Sequence, residues 1–380
     1  CFSPGTVRLT NDTLSSVQLE VLSLDPLSAA IPLEDWQTLC AAALSPNPFF
    51  GPDFLRPFLE KMSKQAVRLV VVRERPGGRW LVAAPVGRRR FGLAVAVNTT
   101  WASEYAPLGT PLIHPDASAE AISAFINAAR EPGNALAIPY LPLHSQSATR
   151  LRAVGAGKKS VLAKSFRASH GAGATGKSQL AEADSGKRRK EMRRLMRRLG
   201  DHGKTTFRSL SGSDAVAGFE AFLELEASGW KGRSGTALGS QSGTADFART
   251  AVANLASRNG VRIDQLWSGQ TLVAALVLFQ QSGKVYSWKI AFDEEFARYS
   301  PGAQIALQAL KINLAIPGFR GADSLAIPGH SMIEPLWRGR LETGTMLFAD
   351  GLKRSLCKTD LKLEQALRRA ARTLRKRLRA

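Results

Sequence analysis

The strongest constraint on this chain is an order of elements that occurs twice. In the second half, TTFRSL (205–210) reads as a strand and residues 213–228 as a helix with Phe219, Phe222, Leu223 and Leu225 in its apolar set. A glycine-rich loop follows, then a second helix over 244–260, ended by Asn259-Gly260. Three apolar runs come next: VRIDQLW, TLVAALVLFQ and KVYSWKIAF. Ser268-Gly269-Gln270 and Gln281-Ser282-Gly283 separate them, the pattern of an antiparallel meander. A helix over 302–316, a strand over 322–327, a short helix near 333–340 and a strand over 345–350 complete the unit. The first half repeats the order. QLEVLSLD is a strand, LEDWQTLCAAAL and PDFLRPFLEKM are helices, and VRLVVVRE, RWLVAAPVG and LAVAVNT are strands. DASAEAISAFINAAR (helix), NALAIPY (strand), HSQSATRLRAV (helix) and SVLAKSF (strand) follow. The repetition is of pattern, not of sequence identity. It predicts an α+β (mixed α/β) fold of two tandem units, each a mostly antiparallel central sheet flanked by helices.

The length of 380 residues suits two such units, each able to bury a core. The longest apolar runs are too short to span a bilayer. Cys1, Cys40 and Cys357 are widely spaced and form neither a disulfide framework nor a zinc site, so no metal is expected. A reducing cytoplasm is the expected location, and the basic helices could touch the inner membrane from it.

The formal charge of +21 is concentrated in two places. KRRKEMRRLMRR (187–198) holds eight Lys/Arg and one Glu, a net +7, and residues 361–380 hold eight Lys/Arg and Glu364, again +7. In the first, Met192, Leu195, Met196 and Leu199 recur at helical spacing. In the tail, Leu367, Ala371, Leu374 and Leu378 do the same, so an apolar stripe is expected to face the body in each. Basic amphipathic helices can meet an anionic partner, either a membrane surface or RNA. The division expected is 1–168, a linker with basic helix over 169–204, 205–352, and a basic C-terminal helix over 353–380.

Gly171 to Ser178 match G-x-x-x-x-G-K-S, the phosphate-cradling loop. That loop must leave a buried strand and open a helix. RASH upstream is not an apolar strand end, no sustained apolar stripe follows, and no apolar run ends in a suitable Mg²⁺-holding Asp. The stretch is therefore read as a Gly/Ser-rich linker, and nucleotide hydrolysis ranks last among the functions considered.

The order of elements resembles the GNAT superfamily of acyl-CoA-dependent N-acyltransferases, in tandem. Four segments resemble the branch of the cellulose-biosynthesis-associated CelD proteins, related to Fem-type aminoacyltransferases. They are KRRKEMRRLMRRL, LELEASGWKGRSGTAL (223–238), FARYSPGAQIALQAL (296–310) and DSLAIPGHSMIEPLWRGR (323–340). The resemblance implies an acyl-CoA co-substrate, acetyl-CoA foremost, and an amine acceptor, a small molecule or glycan precursor. It also implies an active second half and a non-catalytic first half. Two alternatives are an aminoacyl-tRNA-dependent transferase of the Fem type and a non-enzymatic polyanion binder on a degenerate acyltransferase fold.

RYSPG makes an anion site on physical grounds as well. The start of a helix presents free N–H groups, Pro301 suits its first turn, Gly302 permits close approach, and Arg298 adds charge. The cofactor set expected is Ile290, Ala291, Phe292, Arg298, Tyr299, Ser300, Pro301, Gly302 and Ala303. The superfamily signature is R/Q-x-x-G-x-G/A, and here the glycine arrives one residue late. In the first half, YAPLGTPLIHP (105–115) lacks the charge and is expected to hold no cofactor. The resemblance implies that the KVYSWKIAF strand pairs with the pantetheine arm and that a backbone N–H near Ile290–Phe292 faces the oxyanion. Glu226, His330 and Glu334 are candidate bases, and Tyr299 and Tyr286 are candidate acids. Trp230, Lys231, Glu334 and Trp337 are expected near the acceptor.

Overall fold

The apolar runs join into one continuous sheet in the computed structural model, which describes residues 18–75, 77–155 and 159–377. Cys1 and Leu378 lie outside the described residues. The first half contains β1 (Leu19–Leu24), α1 (Leu33–Ala42), α2 (Pro52–Met62), β2 (Val67–Glu74), β3 (Trp80–Arg90), β4 (Ala96–Thr100) and β5 (Leu112–Ile113). It continues with α3 (Ala119–Arg130), β6 (Ala135–Pro142), α4 (Gln146–Ala153) and β7 (Lys159–His170). Two helices, α5 (Gly173–Ala183) and α6 (Gly186–Leu199), lead to the second half. There the order is β8 (Thr205–Ser211), α7 (Ser213–Ser228), α8 (Trp230–Arg233), α9 (Ser242–Ala256), β9 (Val261–Ser268) and β10 (Thr271–Gln281). Then come β11 (Lys284–Phe292), α10 (Pro301–Ala315), β12 (Gly321–Asp323), β13 (Gly339–Ala349) and α11 (Gly351–Arg377). Local chemistry sets several boundaries. The Ser118 and Ser145 hydroxyls accept from the first-turn N–H groups of Ala121 and Ala148, and prolines open α2 and α10.

The strands run β1-β2-β3-β4-β6-β13-β7-β12-β11-β10-β9-β8. Read from either edge, the order is the same, with the last strands exchanged. β13, from the second half, lies between β6 and β7 of the first, and β7 pairs with β12 of the second. All neighbours are antiparallel except β4–β6 and β11–β12. The fold is the expected mixed α/β pair of units, but neither closes its sheet without the other.

The core crosses the same seam. Phe54 and Phe58 on α2 meet Phe247 on α9 edge-on, each at 5.2 Å between ring centroids, and Phe279 stacks on Trp288 at 4.8 Å. The Trp288 indole donates to Tyr105 O of the first half at 2.8 Å. Buried aromatic pairs placed this way add to the cohesion between halves.

The structure departs from the sequence reading in several places. RASH belongs to β7: Ser169 and His170 pair with Asp323 and Ala322. The expected linker is instead helix α5, since Gly176 packs where a Cβ would sit 2.2 Å from Gly171 O and 2.5 Å from Leu314. β12 stops at Asp323, where Leu325 adopts φ +53° and Asp323 is held by the buried Arg167. Residues 333–338 form turns rather than a helix, and β13 starts at Gly339, drawn into register with Ser169 of β7. The glycine-rich loop contains the short α8. In α6, Met192, Leu195 and Leu199 face the body as expected. The tail differs: Leu367 is 55% exposed and Ala371 is exposed, so their stripe faces outward. Among the described residues no helix is long and apolar enough to cross a membrane, and no cluster of side chains suits a metal ion.

Candidate active site

β11 and β12 pair only from Lys284 to Tyr286, and β12 then ends. From Ser287 to Phe292 the side of β11 facing away from β10 has no strand partner among the described residues. Lys231 Nζ donates to Ile290 O at 3.2 Å on that side, while Asp293 N bonds back to Val273 O on β10. By strand alternation Ile290 and Phe292 therefore present their N–H groups to the open side. α10 begins beside this edge. Ser300 takes a left-handed conformation (φ +55°), Pro301 opens the helix, and Ala303 and Gln304 bond back to Ser300 O. The Gly302 N–H lies in the first turn, with no helical carbonyl one turn before it.

A cavity of about 670 Å³ occupies the gap. Its walls include Glu226, Trp230, Lys231, Ile290, Ala291, Phe292, Ser300, Pro301, Gly302, Ala303 and His330, all singled out from the sequence. Glu226 is buried below it, with one oxygen 2.7 Å from Lys231 Nζ and the other accepting Leu238 N at 2.8 Å. Both oxygens are engaged, and Glu226 holds Lys231 against Ile290 O. His330 Nδ1 is shielded from solvent and has no hydrogen-bond partner. Trp230 is exposed, with its backbone N–H held by the Glu294 carboxylate.

Five expected residues lie elsewhere. Arg298 is exposed, its guanidinium over the Tyr299 ring rather than at the start of α10. Tyr299 is buried, with its hydroxyl 2.8 Å from His202 Nε2. Trp337 is wholly buried and donates to Ala306 O, and Glu334 is outside the cavity wall, its N–H bonded to His330 O. Tyr286 is buried against Pro46 O, and burial pushes its phenol far up. The sequence reading did not place Arg188, Met192 and Met332 in the cavity wall. Arg188 comes from the basic helix and donates to Pro335 O at 2.8 Å. The Met332 sulfur lies 2.5 Å from where a Cβ on Gly302 would be. Only the basic character of α6 hinted at Arg188, and nothing local announced Met332. Close by, Lys289 lies over the Tyr105 ring; burial lowers its pKa, opposed by Glu226.

The corresponding gap in the first half is filled. β4 pairs with β6 only at Asn98 and Thr99, and the following loop folds into the opening. The Thr100 hydroxyl donates to Gly109 O, and a Cβ on Gly109 would lie 2.2 Å from Pro139 O. Asn47 anchors the same loop through Leu108 O and Thr110 O.

Comparison with known proteins agrees with this geometry. Residues 186–325 match the family model described as "Acetyltransferase (GNAT) domain". No curated protein matches the chain in sequence. The structure described as "Crystal structure of FemX" aligns with a TM-score of 0.55 at 12% identity, over 90% of this chain and 99% of that one. The C-terminal domain (DUF2156) of a putative lysylphosphatidylglycerol synthetase from Agrobacterium fabrum gives 0.53 at 12%, over 87% and 96%. A conserved protein of unknown function from Bacteroides thetaiotaomicron gives 0.52 at 14%, over 87% and 100%. At these identities the structural likeness is one of fold. Together with the matched segment, that likeness shows a fold of the GNAT type. Its sequence pattern lies in the half that carries the open cavity.

Proposed function

We propose that the protein is an acyl-CoA-dependent N-acyltransferase, using acetyl-CoA, of the CelD-like kind that its sequence segments resemble. The observation that carries this reading is the unpaired edge of β11 opening beside the start of α10 within one cavity. An extended pantetheine arm can take the Ile290 and Phe292 N–H groups as a strand would. The pyrophosphate then meets the start of α10 at Gly302, with Arg188 as the nearby cation in place of Arg298. An N–H on that edge is placed to stabilise the oxyanion formed when the amine attacks the thioester carbonyl. His330, which lines the cavity, takes the amine proton in this reading, and CoA leaves as its thiolate. Lys231, fixed by Glu226, and the exposed Trp230 border the acceptor end. The acceptor is a small-molecule or glycan-precursor amine.

A second reading, Fem-type transfer from aminoacyl-tRNA, is favoured by the FemX-like fold across both halves and by a basic helix bordering the cavity. The test is thermal unfolding with acetyl-CoA beside Mg²⁺-ATP, in wild type and Gly302→Val. A ligand that binds the native state raises the midpoint. We expect acetyl-CoA to raise it, ATP to leave it unchanged, and Gly302→Val to remove the acetyl-CoA effect. No response to acetyl-CoA, together with transfer from charged tRNA to an amine, would replace the first reading with the second.

A further inference from the structure

α11 has 27 residues and is about 40 Å long at 1.5 Å per residue. One side of it is anchored. Cys357 is fully buried among Val97, Ala135, Ala137, Leu347 and Ala349. Asp360 accepts the N–H groups of Leu93, Ala94 and Val95 in the β3–β4 turn, and these bonds hold its carboxyl below its ordinary value against the opposing effect of burial.

A different face is apolar and uncovered. Leu352, Leu356, Leu363 and Leu367 are each between 48% and 78% exposed. At 100° per residue they fall within an arc of about 60°. Lys362 lies to one side of that arc, and Lys353 and Arg368 lie to the other, toward the face anchored by Asp360 and Cys357. The sequence of α11 holds ten Lys/Arg (353, 354, 358, 362, 368, 369, 372, 375, 376, 377) against Asp360 and Glu364, a net +8. Asp360 is bonded to the turn and Glu364 to Arg368, and the net charge of the helix stays strongly positive. The turn that Asp360 holds adds the exposed Leu93, Arg88 and Arg90 to the same end of the molecule.

Cations alone would suit RNA, but an exposed leucine stripe adds nothing to RNA binding, and α11 has no aromatic residue on which a base could stack. Leucines flanked by Lys and Arg fit the boundary between headgroups and acyl chains of an anionic bilayer. The helix is too charged to cross it and would lie in its plane. We infer that α11, with the β3–β4 turn beside it, docks the protein on an anionic phospholipid surface. The inference goes beyond the proposed chemistry and does not depend on it.

The test is co-sedimentation with vesicles of phosphatidylcholine alone or mixed with phosphatidylglycerol. The proteins are wild type, Leu356→Ser/Leu363→Ser/Leu367→Ser, and Lys358→Gln/Lys362→Gln. All substituted side chains lie off the buried face, and circular dichroism melting checks that each variant folds. Wild type should bind the anionic vesicles and not phosphatidylcholine alone. The leucine variant should lose roughly tenfold or more in partitioning with its melting temperature unchanged, and the lysine variant should bind more weakly at low salt and depend less on salt than wild type. Three results would overturn the inference. Wild type may leave anionic vesicles unbound. The leucine variant may bind as well as wild type, which is adsorption by charge alone. Or light scattering may find a dimer without lipid that the leucine variant dissolves, making the stripe a contact between copies.

Discussion

At the scale of single residues, the site depends on which polar groups are already occupied. Glu226 and Tyr299 both looked like proton carriers in the sequence. One holds Lys231 and a backbone N–H, and the other is bonded to His202. His330 differs: its ring lines the cavity, and its shielded Nδ1 has no partner among the described residues. A buried polar atom left unpaired costs stability unless a ligand completes it. If His330 takes the amine proton, His330→Ala should lower kcat by about 10²-fold or more while acetyl-CoA affinity stays unchanged. Steady-state kinetics beside a direct binding measurement separate the two. A parallel loss of acetyl-CoA binding would make His330 a wall of the cavity rather than the base.

At the scale of elements, the GATGKS stretch shows how a motif can be structural. It does follow a strand and open a helix, but Gly176 is packed under Gly171 O and Leu314, the Gln179 side chain accepts Gly171 N, and Lys177 points to solvent. The glycine serves close packing. Gly176→Ala should therefore destabilise the fold by about 1–3 kcal/mol, as overpacking does. Lys177→Ala should leave the urea midpoint within about 0.5 kcal/mol of wild type, as surface changes do. Equal effects of the two would contradict this assignment. The same stretch marks where the sequence stops being legible. Long periodic runs such as TLVAALVLFQ and VRLVVVRE identified their strands, because burial on both sides of a sheet leaves a local signature. Residues 165–170 and 339–344 are polar strands that exist because they pair across the seam with each other or with β12. Their partners are over 150 positions away, and no local pattern encodes that. The site divides in the same way. Ile290–Phe292 and Ser300–Ala303 were readable from one strand, one turn and one helix start. Arg188 and Met332 reach the cavity only through tertiary placement.

At the scale of the whole molecule, the exchange of β7 and β13 makes the seam the place where both halves are stabilised together. His170 sits at its centre. Its backbone pairs with Ala322, its Nε2 lies 3.0 Å from the Asn313 amide, and its ring meets Trp337 edge-on at 4.7 Å. It is 2% exposed, and burial lowers its pKa to about 4; Arg262 and Lys284 act in the same direction, and its bond to Gly171 opposes them. The unfolded chain titrates near 6.5, so between that pH and about 4 the unfolded state binds a proton that the folded state refuses. Stability at this residue is therefore intact above pH 6.5, declines as the pH falls through this window, and levels off below about 4. A shift of this size corresponds to a loss on the order of 3 kcal/mol. His170→Gln keeps a polar group beside Asn313 and cannot titrate. We expect it to be less stable than wild type at pH 7, with the gap narrowing as the pH falls toward 4. Urea unfolding of both proteins across that range measures the difference. Parallel curves would mean that His170 titrates alike in the folded and unfolded states, and that the acid sensitivity of the seam arises from other groups.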